Sequence, residues 1–226
     1  MPKIIFMNSL SEENYLKAVY KLSGDNGNSV YTTDLARKMG TTSASVTDML
    51  QKLSQKKLIS YKKYQGVTMT TAGKKAALSV IRKHRLWEMF LVEKLNFGWD
   101  EVHAVAEELE HIRSEKLIEQ LDRFLGYPQA DPHGDLIPDS NGKFPIRKSV
   151  PLSSLQKGDS ASIAGVIDHN PVFLRHLEKI GFKVGVVLKV EDVTEYDKSV
   201  SVAIRGRKNS IHISSEVAKN LLVIKK

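Results

Sequence analysis

The chain of 226 residues is longer than one small hydrophobic core requires, which favours two or three domains. It has no cysteine, which excludes disulfides and thiolate metal sites, and no apolar run approaches the roughly 18 residues of a membrane span. The net charge of +8 is uneven: basic residues outnumber acidic ones by 12 to 5 in residues 1–75 and by 14 to 8 in residues 146–226, but acidic residues lead by 13 to 8 in residues 76–145. The N-terminus lacks the pattern of a signal peptide, so we expect a cytoplasmic protein without membrane contact.

The first third of the chain has the pattern of a winged helix-turn-helix. Helical spacing of apolar residues predicts three helices, in SEENYLKAVYKLS from Ser11, in DLARKM capped by Thr33, and in SASVTDMLQKLSQKKL after Gly40. Two short strands, LISYKKY and VTMTT, follow and join through Gln65-Gly66. The short turn containing Gly40 predicts that the third helix enters the DNA major groove.

Polar residues at the start of this third helix are candidates for reading bases, and basic residues around it are candidates for phosphate contacts. The base-reading candidates are Thr42, Ser43, Ser45, Thr47 and Asp48. The phosphate candidates are Arg37, Lys52, Lys62, Lys63, Lys74 and Lys75. Polar helix starts also occur for capping alone, and a helix-turn-helix that contacts only protein is the alternative.

The acidic middle of the chain carries candidate metal ligands on two predicted helices, TAGKKAALSVIRKHRLWEMFLVEKL from Thr71 and DEVHAVAEELEHI after Trp99. Two histidines and two carboxylates of the second helix fall within an arc of roughly 100°, a donor set that suits a divalent first-row cation. They are His103, Glu107, Glu110 and His111, and His84 and Glu88 form a further pair on the first of the two helices. The alternative is the solvated face of an ordinary amphipathic helix.

These segments resemble the diphtheria-toxin-repressor and manganese-transport-regulator family of metal-dependent repressors. The most specific of them is VHAVAEELEHIRSE, similar to the family's metal-binding helix, in which a Cys or Glu is followed by Glu and His. The resemblance implies that Glu107, Glu110 and His111 are ligands of one metal. His84 and Asn14 also match ligands of that site. Asn14 replaces a charged Asp or a Met, and Lys17, which stands where the manganese sensors have Glu, cannot ligate while protonated.

The same resemblance implies a second metal site, to which Glu88 and His103 belong. The DPHG turn at residues 131–134 resembles a loop of the longer manganese regulators, implying Asp131 and His133 as ligands, although such a sequence alone is more often an ordinary turn. Asp168 falls where streptococcal-type regulators have an ancillary ligand. In this interpretation the second site ties the C-terminal domain to the metal-sensing domain.

The last 75 residues or so alternate short strands with turns, which predicts a small β-barrel. The strand segments are SASIAGVI, GVVLKVEDVT, SVSVAIRG, NSIHIS and NLLVIKK, and one helix is predicted in PVFLRHLEKIG. This part resembles the SH3-like domain of the longer family members and of ferrous-iron transport accessory proteins.

We therefore expect an α+β protein: a winged helix-turn-helix domain at 1–73, a helical dimerisation and metal-sensing domain at 74–140, a linker at 141–151 and a small SH3-like β-barrel at 152–226. The expected function is a metal-dependent transcriptional repressor of metal-uptake genes that binds a palindromic operator as a homodimer. Mn²⁺ is the first-choice cofactor and Fe²⁺ the second, while Zn²⁺ or Co²⁺ could substitute in vitro. One alternative is a winged-helix regulator of an organic ligand. The other, a His/Glu metal hydrolase, is opposed by the absence of HExxH, and we expect no enzyme activity.

Overall fold

The computed structural model describes residues 8–24, 26–63, 65–207 and 209–226, so the start of the N-terminal segment that argues against a signal peptide lies outside the described residues. The chain forms two compact units. Unit 1 comprises Met1–His84, Glu110–Arg113 and Pro138–Lys143, and unit 2 comprises Arg85–Leu109, Ser114–Ile137 and Phe144–Lys226. Among the described residues, no helix has both the length and the apolar character needed to cross a membrane.

Unit 1 contains a winged helix-turn-helix. Its elements are α1 (Leu10–Ser23), α2 (Thr32–Met39), α3 (Ser43–Gln55), β1 (Ile59–Lys62) and β2 (Gly66–Met69). The two strands pair antiparallel, with Tyr61 opposite Val67, and form the wing. Leu16, Leu35 and Leu50 are fully buried where the three helices meet, so the apolar spacing in the sequence does mark the core.

The starts of α1 and α2 differ from those expected. Ser9, not Ser11, caps α1, because the Ser9 hydroxyl accepts the Glu12 N–H while the Glu12 carboxylate accepts the Ser9 N–H. The expectation that Thr33 caps α2 was wrong, since the helix already starts at Thr32 and its N-cap residue, Tyr31, makes no side-chain cap hydrogen bond. Gly40 does end α2, in the left-handed conformation with φ 61° that glycine adopts readily.

The helices α4 (Thr71–Leu95), α5 (Val102–Leu109) and α6 (Glu115–Phe124) follow the wing. The prediction that the second helix of this region continues through Glu110 and His111 was wrong, because the chain turns there and Glu110 becomes completely buried. Helix α6, capped by the Ser114 side chain, was not predicted.

The C-terminal part of unit 2 is an antiparallel sheet of six strands in the order β3-β8-β4-β5-β6-β7. Its elements are β3 (Val150–Pro151), a 3₁₀ turn (Leu152–Ser154), β4 (Ser160–Val166), α7 (Pro171–Ile180), β5 (Val187–Val193), β6 (Val200–Ile204), β7 (Ile211–Ile213), α8 (Ser215–Asn220) and β8 (Leu221–Lys225). The five predicted strands and α7 are present, whereas β3 and α8 were not predicted. Leu152, Leu177 and Phe182 are fully buried in its core.

The DPHG loop lies directly on strand β4. The Val166 N–H donates to the carbonyl of His133. Gly134 has φ 90°, and a Cβ there would lie 2.1 Å from the carbonyl oxygen of Ala164, so only glycine allows this approach. The close backbone contact holds the loop, and with it the side chains of Asp131 and His133, in a defined place within unit 2.

Candidate metal centres

Glu110 is the centre of a cluster of side chains in unit 1. We call it the first cluster, and it consists of the candidate ligands His84, Glu110 and His111 together with Lys17. The Glu110 side chain is fully buried, and its Oε2 lies 2.6 Å from Nδ1 of His84. Its Oε1 lies 3.7 Å from Nε2 of His111. One carboxylate and two imidazoles are donors that a divalent first-row cation accepts.

Glu13 orients the imidazole of His111. The Nδ1 atom of His111 lies 2.6 Å from Oε2 of Glu13, and because an ionised carboxylate only accepts hydrogen bonds, Nδ1 carries the proton. In the neutral ring, Nε2 then presents its lone pair toward Glu110. Metal-binding histidines are commonly held in this way by an outer carboxylate. Glu13 was not among the site residues predicted from the sequence, so this role was missed.

Helix α1 also contributes Lys17, which contacts Glu110, and Asn14, which has a buried oxygen without a partner. Nζ of Lys17 lies 2.6 and 2.7 Å from the two carboxylate oxygens of Glu110, so a protein cation pairs with this buried anion. The Oδ1 atom of Asn14 is buried and has no hydrogen-bond partner among the described residues. A buried carbonyl oxygen without a donor fits a metal ligand, because otherwise its desolvation is not compensated.

Glu107 and His103 lie on α5 in unit 2 and are less buried than the residues above. Nε2 of His103 lies 3.4 Å from Oε1 of Glu107, with side chains 57% and 37% exposed. Nδ1 of the same histidine lies 3.2 Å from Oε1 of Glu88. His103 therefore connects Glu107 with Glu88 in unit 2, and the role of Glu107 as a metal ligand remains a prediction.

The second cluster consists of Glu88, Asp131 and His133, all buried in unit 2, with one ligand atom of each within 4.8 Å of the others. The Nε2 atom of His133 lies 2.8 Å from the carbonyl oxygen of Trp99, which can only accept, so Nε2 is protonated. The lone pair of Nδ1 in the neutral ring then faces Oε2 of Glu88 at 3.9 Å. Two acceptors directed toward each other leave a position that suits a cation.

The second cluster carries an excess of negative charge. Burial raises the pKa of Asp131 well above its usual range, and the carboxylates of Glu88 and Asp135 raise this pKa further. Arg85 opposes the rise, with its Nε 3.7 Å from Oδ2 of Asp131. The other Asp131 oxygen accepts the N–H groups of His133 and Asp135, which fixes its direction.

Asp168 does not join the second cluster. Its Oδ1 accepts the N–H of Asn170 just before α7, and it belongs to no group of three ligand atoms within 4.8 Å in the described parts of the chain. The next residue, His169, lies closer to the cluster: its ring is 5.5 Å from that of His133, and its Nε2 is 3.7 Å from Asp135. Sequence reasoning did not select His169, because an isolated histidine after a strand carries no signal.

The candidates for DNA contact lie on the surface of unit 1. Thr42, Ser43, Ser45 and Asp48 are exposed at the start of α3, and Thr47 is half-buried. Part of their polarity has a local explanation, since the Thr42 hydroxyl accepts the Ser45 N–H and the Thr47 hydroxyl donates to the Ser43 carbonyl. The basic candidates Arg37, Lys52, Lys62, Lys63, Lys74 and Lys75 are all exposed.

A buried carboxylate joins α1 to α3. Glu12 is 1% exposed, and its Oε2 accepts a hydrogen bond of 2.7 Å from Lys56, while Lys52 lies 3.2 Å from its Oε1. Burial alone would raise the pKa of Glu12, but the hydrogen bonds from Lys56 and from the Ser9 N–H lower it below its ordinary value. Helix α1 therefore contacts α3 through Glu12 and the first cluster through its next turn.

Models of three protein domains match the chain in sequence. The N-terminal DNA-binding domain of iron-dependent repressors matches residues 7–67. The metal-binding and dimerisation domain of iron-dependent repressors matches residues 70–139. The FeoA domain matches residues 150–225, which include the six-stranded sheet.

Individual proteins are similar over shorter or longer parts of the chain. An HTH-type transcriptional regulator of Methanocaldococcus jannaschii is 35% identical over 119 residues, covering 52% of this chain and 94% of that protein. The iron-dependent repressor IdeR of Mycobacterium leprae is 31% identical over 134 residues, which are 58% of each protein. The solved structure of a manganese-dependent transcriptional repressor in complex with manganese is 34% identical, with a TM-score of 0.81, covering 95% of this chain and 100% of that one.

Proposed function

The chain belongs to the diphtheria-toxin-repressor and manganese-transport-regulator family of metal-dependent transcriptional repressors, and we propose that it is a metal-activated repressor of metal-uptake genes. In this proposal it acts in the cytoplasm, binds a palindromic operator as a homodimer and catalyses no reaction. The observation that carries the proposal is that the first cluster and the helix-turn-helix belong to one compact unit, with α1 contacting both.

Helix α1 supplies a physical route from metal to DNA. Glu13 and Lys17 contact the first cluster from α1, while Glu12 of the same helix accepts a hydrogen bond from Lys56 at the end of α3. A bound cation supplies a positive charge that favours the arrangement in which its ligands converge, so the position of α1 depends on whether the site is filled. The contacts of Glu12 pass that preference to the recognition helix.

We propose Mn²⁺ as the physiological metal and Fe²⁺ as the second choice. The supporting observation is that the donors are oxygen and imidazole nitrogen without sulfur, a set that suits hard and borderline cations. Glu107→Cys tests this choice, because a thiolate at a ligand position should shift activation from Mn²⁺ toward Fe²⁺, Co²⁺ or Zn²⁺ by about tenfold. An unchanged order of metals in this variant would remove Glu107 from the ligand set.

DNA binding measured with and without metal tests the proposal as a whole. The protein is titrated onto palindromic operator-like fragments in chelator and at buffered free Mn²⁺ or Fe²⁺. We expect metal to tighten binding at least about tenfold, a coupling of about 1.4 kcal/mol. Binding should also weaken steeply with salt, because contacts with phosphates release counterions. Equal affinity in chelator and in both metals would reject the proposal and favour the organic-ligand alternative.

A further inference from the structure

The ammonium of Lys17 lies on the Glu110 carboxylate where a bound metal ion could lie. Its Nζ lies nearly equidistant from the two carboxylate oxygens, at 2.6 and 2.7 Å, and the pair is buried, with side chains 9% and 0% exposed. An ammonium placed symmetrically between both oxygens of a carboxylate occupies the position that a bidentate metal ion takes on that group. Lys17 is thus a positive charge tethered to α1 at a metal-binding carboxylate.

The carboxylate of Glu110 has a second partner besides Lys17. Oε2 of Glu110 also lies 2.6 Å from Nδ1 of His84, and the nearby carboxylate of Glu13 is engaged with Nδ1 of His111. Two cations on one buried carboxylate repel each other strongly, since the low dielectric of the interior screens them poorly. A divalent ion that uses both oxygens of Glu110 therefore requires Lys17 to leave.

We propose that Lys17 is a built-in competitor of the metal at Glu110 and sets the metal concentration at which the first cluster fills. This inference rests on the proposed function, because it concerns the threshold of the same site. In the metal-free protein, the Lys17–Glu110 pair fastens α1 to the turn after α5 within unit 1. When metal binds, ligation by Glu110, His111 and Asn14 replaces this ion pair, and the Lys17 ammonium moves away from the carboxylate.

The competition is measured by calorimetric titration of the full-length protein with Mn²⁺ in the absence of DNA. Lys17→Met removes the tethered charge but keeps an unbranched apolar stem, and Lys21→Met is the matched control, because Lys21 is an exposed lysine one turn further along α1. Glu110→Gln identifies which binding step belongs to this carboxylate. We expect that step to be at least about tenfold tighter in Lys17→Met than in Lys21→Met, since a buried ion pair no longer has to be broken.

A merely structural role for Lys17 predicts the opposite result, since loosening of the cluster would weaken metal binding. Equal or weaker Mn²⁺ affinity in Lys17→Met would therefore overturn the inference. A second measurement uses the unaltered protein, so that it decides the question even if Lys17→Met does not fold. Amine acylation followed by mass spectrometry should show Lys17 protected without metal and more reactive at saturating Mn²⁺, relative to Lys21. Protection that metal leaves unchanged would also overturn it.

These outcomes are distinct from those that test the proposed function. Metal-dependent DNA binding combined with equal Mn²⁺ affinities in the two lysine variants removes the role of Lys17 and leaves the repressor intact. Tighter Mn²⁺ binding in Lys17→Met, combined with no effect of metal on DNA binding, supports the competition and rejects the repressor.

Discussion

The first and second clusters balance their buried negative charge differently. In the first, the single buried carboxylate of Glu110 pairs with the ammonium of Lys17 and lies against His84. In the second, Asp131 and Glu88 are buried together, and burial and mutual repulsion raise the pKa of Asp131. The carboxylate of the first cluster is therefore paired with a protein cation at hydrogen-bond distance, whereas in the second cluster Arg85 only partly offsets two buried carboxylates, and a bound cation would add positive charge. Metal should exchange partners in the first cluster and add a partner in the second.

The largest expected effect comes from breaking the ion pair of the first cluster. Glu110→Ala leaves the Lys17 ammonium buried without its carboxylate, which should lower the free energy of unfolding by about 3–5 kcal/mol. The double variant Lys17→Met with Glu110→Leu should recover much of this loss, because an apolar pair of similar size needs no counter-charge. Chemical denaturation in chelator measures both. A loss below about 1 kcal/mol would mean that the Lys17–Glu110 ion pair stabilises the fold no more than a solvent-exposed ion pair does.

His111→Ala is the companion of this experiment, because it removes a proposed ligand while leaving the Lys17–Glu110 ion pair in place. It should abolish the effect of metal on DNA binding while the stability in chelator changes less than in Glu110→Ala. A similar loss of stability in both variants would mean that the charge of Lys17 is not what the fold depends on.

The second cluster should show the opposite response. Asp131→Asn keeps an oxygen for the N–H groups of His133 and Asp135 but removes the charge, so the variant should lose one bound Mn²⁺ per chain in calorimetry. Its metal-free form should be as stable as the parent or more stable at neutral pH. Because the pKa of Asp131 is raised in the folded state, its contribution to stability is present at acid pH and is lost as the pH rises through that pKa.

Two results would contradict this account of the second cluster. One is an unchanged number of metal ions in Asp131→Asn, and the other is a metal-free variant that is clearly less stable than the parent. His133→Ala serves as the control for ligation, because it should lose the same ion without removing the buried carboxylate.

The local features of the fold were predictable from the sequence, and the first cluster was predictable only in part. Helix α4 has the expected start and end, Thr71 and Leu95, and the wing lies where alternating residues indicated, because both patterns depend on near neighbours in the chain. The turn after α5 was not predictable in this way. It is stabilised by Lys17, 93 residues away from Glu110, and helical spacing contains no information about so distant a partner.

The same limit explains the second cluster. Glu88 and His133 come from separate segments, and only a family resemblance suggested that they meet. Their orientation depends on the carbonyl of Trp99 and on the approach of Gly134 to strand β4, and neither contact has a signature in the sequence. The proposed roles of Glu107 and Asp168 and the predicted domain boundaries remain predictions.

The smallest expected effect concerns Glu12, which connects α1 to α3 through Lys52 and Lys56. Glu12→Gln keeps the hydrogen bond with the Ser9 N–H but weakens the attraction of Lys52 and Lys56. Mn²⁺ affinity should stay the same, while the tightening of DNA binding by metal should fall by a few fold, within the usual range of coupling energies. Operator titrations in chelator and in Mn²⁺ measure this change.

The pH dependence of stability separates the effect of Glu12 from general damage to the fold. The pKa of Glu12 is lowered in the folded state, so its ionised form contributes stability at neutral pH, and this contribution is lost as the pH falls through that pKa. The difference in unfolding free energy between the parent and Glu12→Gln should therefore be present at neutral pH and diminish as the pH falls through the lowered pKa of Glu12. Lys38→Gln, an exposed charge change on α2, should show no such trend. A difference that persists unchanged in acid would mean that the substitution acts through packing, and the charge of Glu12 would then play no part in linking α1 to α3.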